Sequence, residues 1–482
     1  MSNNLKEKTA RGLLWSAINN GATQVLNIVF GICLARLLTP DDYAVTGVLV
    51  IFSTIAANLQ DSGFSQALIN LQNPTKRDYD SVFWFNLFVS LTLYAVLFCC
   101  APLIARYFQM PCLVDVSRVV FLGFVIAGLS ISSGANLRKN LKNREIAILS
   151  LTALALSGVV GVGMALCDMT YWSLVGQQLT YISIITLGRF YYCRWLPSCQ
   201  FSFKPVRRMM RFGMSMMVIN VVNTISENLM TFIIGHNIKS KAAVGNFTQG
   251  NKWNLMASKM VSETVGQLAQ AVLVEVTDDR ERQLRVFRKM LRFSAFFSMP
   301  AMLGLSLVSH EFIMVTIGEK WVDCVPMMRV LCVGGAFLPL YTLYRNLAVS
   351  SGRDRLYLWL GVLQVLAQLA VILYFSARGI MPMIIAFVAF QILWLATWQT
   401  FARGYVGMRW RMLVADVVPY LLAASITMAI TWFATSWLGN AWLLLTARIL
   451  MAGLVYAALM WVIHDDILNE ITKKYMPWLN RG

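Results

Sequence analysis

Charge is scarce in this sequence. Only 13% of its 482 residues are charged, about half the usual share of a soluble globular chain, and a soluble domain of this length would need far more polar surface to stay in water. Catalytic signatures are missing too. There is no G-x-S-x-G, no H-E-x-x-H, no P-loop and no Gly-rich turn after a strand, so the chain is expected to be neither an enzyme nor a cofactor carrier. The nine cysteines show no C-x-x-C or His-linked spacing, and Cys99 and Cys100 sit inside an apolar stretch where a disulfide would serve no purpose. They read as packing residues. His236, His310 and His464 fall at the ends of apolar stretches without ligand spacing, so no metal site is expected.

What is abundant is apolar sequence: 58% of the residues are hydrophobic. A helix needs about 20 mostly apolar residues to cross the hydrocarbon core of a bilayer, and such windows recur along the whole chain. The fold class expected is all-α, a polytopic membrane protein with about fourteen transmembrane helices at 12–36, 42–62, 82–104, 115–136, 146–167, 170–192, 212–236, 242–270, 290–310, 326–349, 356–377, 380–402, 412–436 and 440–464. No soluble domain is left over. The stretch from Gly12 to Leu38 lacks the short apolar region and small-residue cleavage site of a signal peptide, and reads as the first span.

The net charge of +18 raises the question of nucleic acid, but the positive charges alternate between connections as the positive-inside rule demands. Lys76 and Arg77, then Arg138, Lys139, Lys142 and Arg144, and later Arg280, Arg282, Arg285, Arg288, Lys289 and Arg292 all fall in even-numbered connections. The odd ones are poor in Lys and Arg. Both termini are therefore expected in the cytoplasm of a cell bounded by this inner membrane, with the bilayer rather than nucleic acid as the partner of the charge. The run 280–292 reads as a solvated face near anionic headgroups.

A weak internal repeat divides the chain. Tyr43-Ala44-Val45-Thr46-Gly47 at the start of span 2 recurs loosely as Ala242-Ala243-Val244-Gly245 at the start of span 8, and Gln24 in span 1 falls opposite Asn223 in span 7. An even number of spans between copies gives lobes of the same orientation, as in transporters that rock two halves about a shared site. The expected organisation is a six-helix lobe over 1–198, an amphipathic linker over 199–211, a second six-helix lobe over 212–405, and an extra helix pair with a short tail over 406–482.

Inside a membrane the informative residues are the polar ones, because a mid-helix Asp, Lys or Arg costs about 2.5 to 3.5 kcal/mol on insertion scales. In span 8, Lys252, Lys259, Glu263 and Gln270 repeat at i, i+7, i+11 and i+18, a narrow stripe at 100° per residue. Span 7 presents Asn220, Asn223 and Glu227 on one face, and span 1 presents Asn20, Gln24 and Asn27. Span 2 adds Thr54, Asn58 and Asp61, with Ser65 just beyond. Such stripes suit a hydrated cavity between lobes. Amides within membranes also bond helix to helix, Asp61 near a span end can reach water, and Lys259 can pair with Glu263 at i+4. Lys252 lies roughly 15 Å from the start of its span, too deep to snorkel. Arg36 and Arg345 are close enough to helix ends to snorkel, and Arg448 is left unassigned.

Three segments carry a resemblance: Ala35-Arg36-Leu37-Leu38-Thr39-Pro40-Asp41-Asp42-Tyr43, Asp61-Ser62-Gly63-Phe64-Ser65-Gln66-Ala67-Leu68, and Tyr79-Asp80-Ser81-Val82-Phe83-Trp84-Phe85-Asn86. Together they resemble the Wzx-type polysaccharide flippases, in particular the colanic-acid-exporter-like branch of the multidrug/oligosaccharidyl-lipid/polysaccharide exporter superfamily. The match is strongest over the first 150 residues and fades in spans 13 and 14. The family usually follows this first segment with Tyr-Gly or Phe-Gly, where this chain has Tyr43-Ala44.

The resemblance implies two six-helix bundles plus an extra pair. It implies a substrate of polyprenyl pyrophosphate carrying an oligosaccharide repeat unit, moved between leaflets for surface polysaccharide such as O-antigen or lipopolysaccharide, with a polysaccharide polymerase and a chain-length regulator as partners. On that footing Lys252 and Lys259 would neutralise pyrophosphate, while Asn220, Asn223, Asn20, Gln24 and Asn27 would bond sugar hydroxyls. Glu227, Asp61 or Glu263 would couple transport to H+ or Na+. A multidrug cation exporter of the same superfamily would want exposed acids in its cavity, whereas the midplane charge here is positive. A peptidoglycan-precursor flippase is separated from the first reading only by the resemblance. A membrane polymerase or ligase would need a sizeable extramembrane loop, and the predicted periplasmic connections are short.

Overall fold

The structure is a computed structural model that describes residues 3–61, 64–71, 74–199, 201–237, 240–275, 279–351, 354–465 and 467–469. Among these residues all regular structure is helical. The helices are α1 (Asn3–Leu37), α2 (Pro40–Gly47), α3 (Val50–Asp61), α4 (Phe64–Asn70), α5 (Lys76–Tyr107), α6 (Leu113–Gly128), α7 (Ile131–Lys139), α8 (Asn143–Leu166), α9 (Trp172–Cys193), α10 (Phe203–Asn237), α11 (Lys241–Glu275), α12 (Arg280–Leu307), α13 (Ser309–Thr316), α14 (Cys324–Gly335), α15 (Leu338–Ser350), α16 (Asp354–Ser376), α17 (Ile380–Val406), α18 (Trp410–Thr435) and α19 (Ala441–Val462). With α4 and α13 too short to span, and α2–α3, α6–α7 and α14–α15 each taken as one broken span, the described residues give fourteen crossings at the positions expected. The chain is a multi-pass membrane protein.

Nine of these helices pass a simple test of length and hydropathy, or ten when α6 and α7, bent by 45°, count as one. Those that fall short are α1, α9, α10 and α11. Three of the four are the helices whose polar stripes stood out in the sequence. A stripe lowers mean hydropathy without preventing a crossing, provided its face is turned away from lipid.

The helices group into two compact units, Met1–Gly245 and Asn246–Gly482. In the first, two helix starts are built alike. Thr39 begins α2 with a capping box: its backbone N–H and hydroxyl donate to Asp42 Oδ2 at 2.9 and 2.7 Å, and Asp42 N–H donates back to Thr39 Oγ1 at 3.4 Å. Thr75 and Asp78 repeat the arrangement at the start of α5, with bonds of 2.8, 2.8 and 3.3 Å. Each box satisfies orphan N–H groups of a helix end internally, so the helix can start where water is scarce. Thr39-Pro40-Asp41-Asp42-Tyr43, one of the segments that carried the resemblance, is therefore a helix start, with Pro40 in the first turn where its missing N–H costs nothing.

The third resemblance segment holds the chain that follows α9. Asp80 is buried, and its carboxylate accepts from the Ser198 N–H at 3.3 Å and from the Ser198 hydroxyl. The Trp84 indole N–H donates to the Ser198 carbonyl at 2.8 Å, and Ser202 N–H donates to Ser81 Oγ at 3.2 Å. Beyond it α10 begins at Phe203, and Val206 and Met209 are buried in a cluster with Phe64, Leu68, Tyr79 and Ala135. The ammonium groups of Lys139 and Lys142 close helix ends: Lys139 Nζ donates to the Ile69 and Leu71 carbonyls at the end of α4, and Lys142 Nζ to Tyr192 O at 3.1 Å near the end of α9.

Where the repeat motif recurs, Gly245 has a packing role. A Cβ there would overlap the Pro40 carbonyl oxygen and carbon, so the start of α11 meets the start of α2 backbone to backbone.

In the second unit two ionic contacts pin α18 and α19. Asp416, fully buried on α18, accepts from Arg288 Nε at 2.7 Å and Nη2 at 2.9 Å and from Arg292 Nε at 2.6 Å. The run 280–292 is thus divided: Arg280, Arg282, Arg285 and Lys289 are exposed, while Arg288 and Arg292 turn to Asp416. Arg448, which the sequence left unassigned, pairs with Glu311 of α13 at 2.9 Å and donates through Nε to Thr435 Oγ1 at 3.2 Å. All nine cysteines are free, with Cys324 and Cys332 buried on α14.

Candidate functional site

In the first unit the sequence singled out polar faces on α1, α3 and α10. The structure joins two of them. Asn58 on α3 donates through Nδ2 to Thr224 Oγ1 on α10 at 2.7 Å, and Thr224 borders the stripe of Asn220, Asn223 and Glu227. On that stripe Asn220 and Glu227 are exposed and Asn223 is half-buried. Helix α1 packs chiefly on α8, where Gly158 makes room for the Phe30 ring. Its Asn20 is exposed, and Gln24 and Asn27 are half-buried. The Asp61 side chain lies outside the described residues.

In the second unit the polar face of α11 runs from Lys252 to Gly266. Lys252 is half-buried, with Nζ 5.9 Å from the centroid of the Trp253 ring, close enough for a weak cation–π attraction. Lys259 and Glu263 are both exposed, and among the described residues no ion pair joins them, so the i+4 pair weighed from sequence is not formed. The Gln270 side chain lies outside the described residues. One turn beyond Glu263, Asn346 Nδ2 of α15 donates to the Gly266 carbonyl at 3.2 Å, and Thr342 packs on the same glycine. Sequence periodicity missed Asn346 because α15 is the second half of a broken span, and its polar residues share no register with α11.

Arg345 stands next to Asn346. It is half-buried, and its Nε is out of contact with solvent and has no hydrogen-bond partner among the described residues. The snorkelling expected of it from sequence does not describe that nitrogen. Among the described residues no group of three or more His, Cys, Asp or Glu is placed to hold a metal ion.

In the first unit the stripes offer amides and the exposed carboxylate of Glu227, and in the second α11 offers two ammonium groups and the exposed carboxylate of Glu263, all on helices that cross a bilayer. Ammonium groups hold anionic head groups by charge, and amides hold polar ones by hydrogen bonds.

Residues 33–326, more than half of the chain, match the family model described as "Polysaccharide biosynthesis protein". The chain belongs to this family. As a member it is 24% identical over 381 residues, 77% of each chain, to an "Uncharacterized membrane protein in cps region" of Klebsiella pneumoniae. It is 23% identical over 337 residues, 69% of this chain and 68% of the relative, to "Lipopolysaccharide biosynthesis protein WzxC" of Escherichia coli (strain K12). Among solved structures, "Lipid II flippase MurJ, inward closed conformation" superposes with a TM-score of 0.79 over 95% of this chain and all of that one, at 14% identity. At that identity the likeness is one of fold. The resemblance seen in the segments at 35–43, 61–68 and 79–86 therefore names the right family.

Proposed function

We propose that this polysaccharide biosynthesis protein is a flippase that moves polyprenyl-pyrophosphate-linked oligosaccharide units across the inner membrane by alternating access, for assembly of surface polysaccharide. The observation that carries this reading is the open polar face of α11, with Lys252, Lys259 and Glu263 on a membrane-crossing helix. Charge kept in such a place is expensive, and a pyrophosphate is a head group that two ammonium groups can neutralise. The amides of α1 and α10, Asn20, Gln24, Asn27, Asn220 and Asn223, bond sugar hydroxyls, and Glu227, Asp61 or Glu263 couples the cycle to H+ or Na+. The division into lobes 1–198 and 212–405, a linker over 199–211 and an extra pair over 406–482 belongs to the same proposal. So do cytoplasmic termini, which rest on the alternation of Lys and Arg. The protein carries no catalytic step. Its product passes to a polysaccharide polymerase working with a chain-length regulator.

The test is the amount and leaflet location of polyprenyl-pyrophosphate-linked oligosaccharide in cells with and without the protein. Accumulation on the cytoplasmic side with loss of surface glycan is expected. Unchanged amount and sidedness would overturn the proposal, and accumulation on the periplasmic side would assign a polymerase or ligase instead. Lys252→Gln, made in the same cells, is expected to reduce export at normal protein abundance. Full export by that variant would remove Lys252 from the substrate path.

A further inference from the structure

Away from the polar stripes, the first unit contains a small, partly open recess walled by α7, α8 and α9, with a cavity volume of about 40 Å³. Arg138 and Arg189 line it together with Ser150, and Gly134, Leu149 and Ile185 form apolar walls. No carboxylate lines it. The shape depends on two glycines. A Cβ at Gly134 would stand 3.2 Å from three atoms of the Arg189 guanidinium group, and one at Gly188 would overlap Leu149 Cδ1. Arg189 is held in place by Ser130, whose Oγ accepts from Nη1 at 3.0 Å, while Arg138 is exposed.

Depth identifies the ligand. Ser150 lies seven residues inside the start of α8, and Arg189 and Ile185 lie four and eight residues inside the end of α9. At 1.5 Å per residue the recess runs from roughly 6 to 12 Å inside the helix ends, across the boundary between the hydrocarbon core and the layer of about 5–8 Å that headgroups add to each side of it. Basic pockets between membrane helices on the cytoplasmic side are known to take anionic head groups.

We propose that the recess between α7, α8 and α9 binds one anionic phospholipid, its phosphate held by Arg138 and Arg189 and its chains in the adjoining hydrocarbon layer. The site is separate from the polar face of α11, and its occupancy does not depend on what the protein transports. Each basic residue near a membrane surface contributes severalfold in affinity, so Arg138→Gln is expected to weaken binding about fivefold, and Arg138→Gln with Arg189→Gln roughly thirtyfold.

The experiment is native mass spectrometry of the delipidated full-length protein, titrated with phosphatidylglycerol, with phosphatidylcholine and with glycerol phosphate. The expected result is one tightly retained phosphatidylglycerol, little retention of phosphatidylcholine, no displacement by glycerol phosphate, and graded loss in the two variants. Arg138→Gln alters only an exposed side chain, so it reports on binding even where the double variant folds poorly. Equal retention of phosphatidylglycerol by the wild type and Arg138→Gln would overturn the proposal. Displacement by glycerol phosphate at equal concentration would also overturn it, assigning the recess to free phosphate.

Discussion

Asp416→Asn tests how the last two helices are held. The carboxylate is fully buried and accepts three charge-assisted bonds, two from Arg288 and one from Arg292, at 2.6 to 2.9 Å. Breaking a buried ion pair by removing one partner costs about 3–5 kcal/mol, because the other charge is left stranded. Here the stranded charges are partly wet, since the Arg288 and Arg292 side chains are 27% and 34% exposed. They can turn to water, which lowers the expected cost to about 2–3 kcal/mol, near the worth of hydrogen bonds to a charged group. By the scale for domains of this size, about 2–4 °C per kcal/mol, the melting temperature of the purified protein should fall by roughly 5–10 °C. Intrinsic fluorescence during a thermal ramp in detergent reads this directly. Replacing the ions together, Asp416→Leu with Arg288→Leu and Arg292→Leu, should recover most of the loss, because well-packed apolar groups replace a buried ionic cluster at little cost. If Asp416→Asn melts within a degree of the wild type, the cluster is not what fastens α18 to α12.

Glu311→Gln should destabilise more per bond than Asp416→Asn, by about 3–5 kcal/mol, because both Arg448 and Glu311 are nearly inaccessible, at 8% and 7% exposure; chemical unfolding in mixed micelles checks the order. Gly245→Val should abolish accumulation of folded protein, since the atoms it meets are backbone of Pro40 and cannot yield; detergent extraction and gel filtration of the variant decide it. Asp80→Ala should free the chain between α9 and α10, so that trypsin cuts after Arg194 markedly faster than in the wild type while the far ends of the spans stay protected.

The spans were legible because hydropathy is a local property, and fourteen apolar windows became fourteen crossings. The helix starts were legible in principle: Thr39-x-x-Asp42 and Thr75-x-x-Asp78 are capping boxes written in four residues, although as sequence the first served only as part of a family likeness and the second went unread. What periodicity could not supply was partnership across distance. Asp416 lies 128 and 124 residues from Arg288 and Arg292, so the run 280–292 read as one solvated face when two of its members are turned inward. Arg448 stayed unassigned for the same reason, its acid sitting on the short helix α13 that no hydropathy window marks. For the polar stripes, a period of 3.6 gives the face of each helix but not its neighbour. Asn58 and Thr224 share a face with other polar residues on their own helices, and only the fold shows that they touch each other.

The Asp80–Ser198 contact also sets an order of events during synthesis. Its partners are 118 residues apart, so a ribosome making this chain releases Asp80 long before the residue that satisfies it. Until then the start of α5 holds an unmatched carboxylate, which keeps that end of the nascent helix in contact with water and favours one way of threading it into the bilayer. Once Ser198 emerges, the carboxylate is capped and the Trp84 indole finds its acceptor. Only the spans up to α9 are needed for that step, so the latch can close while the second unit is still to be translated.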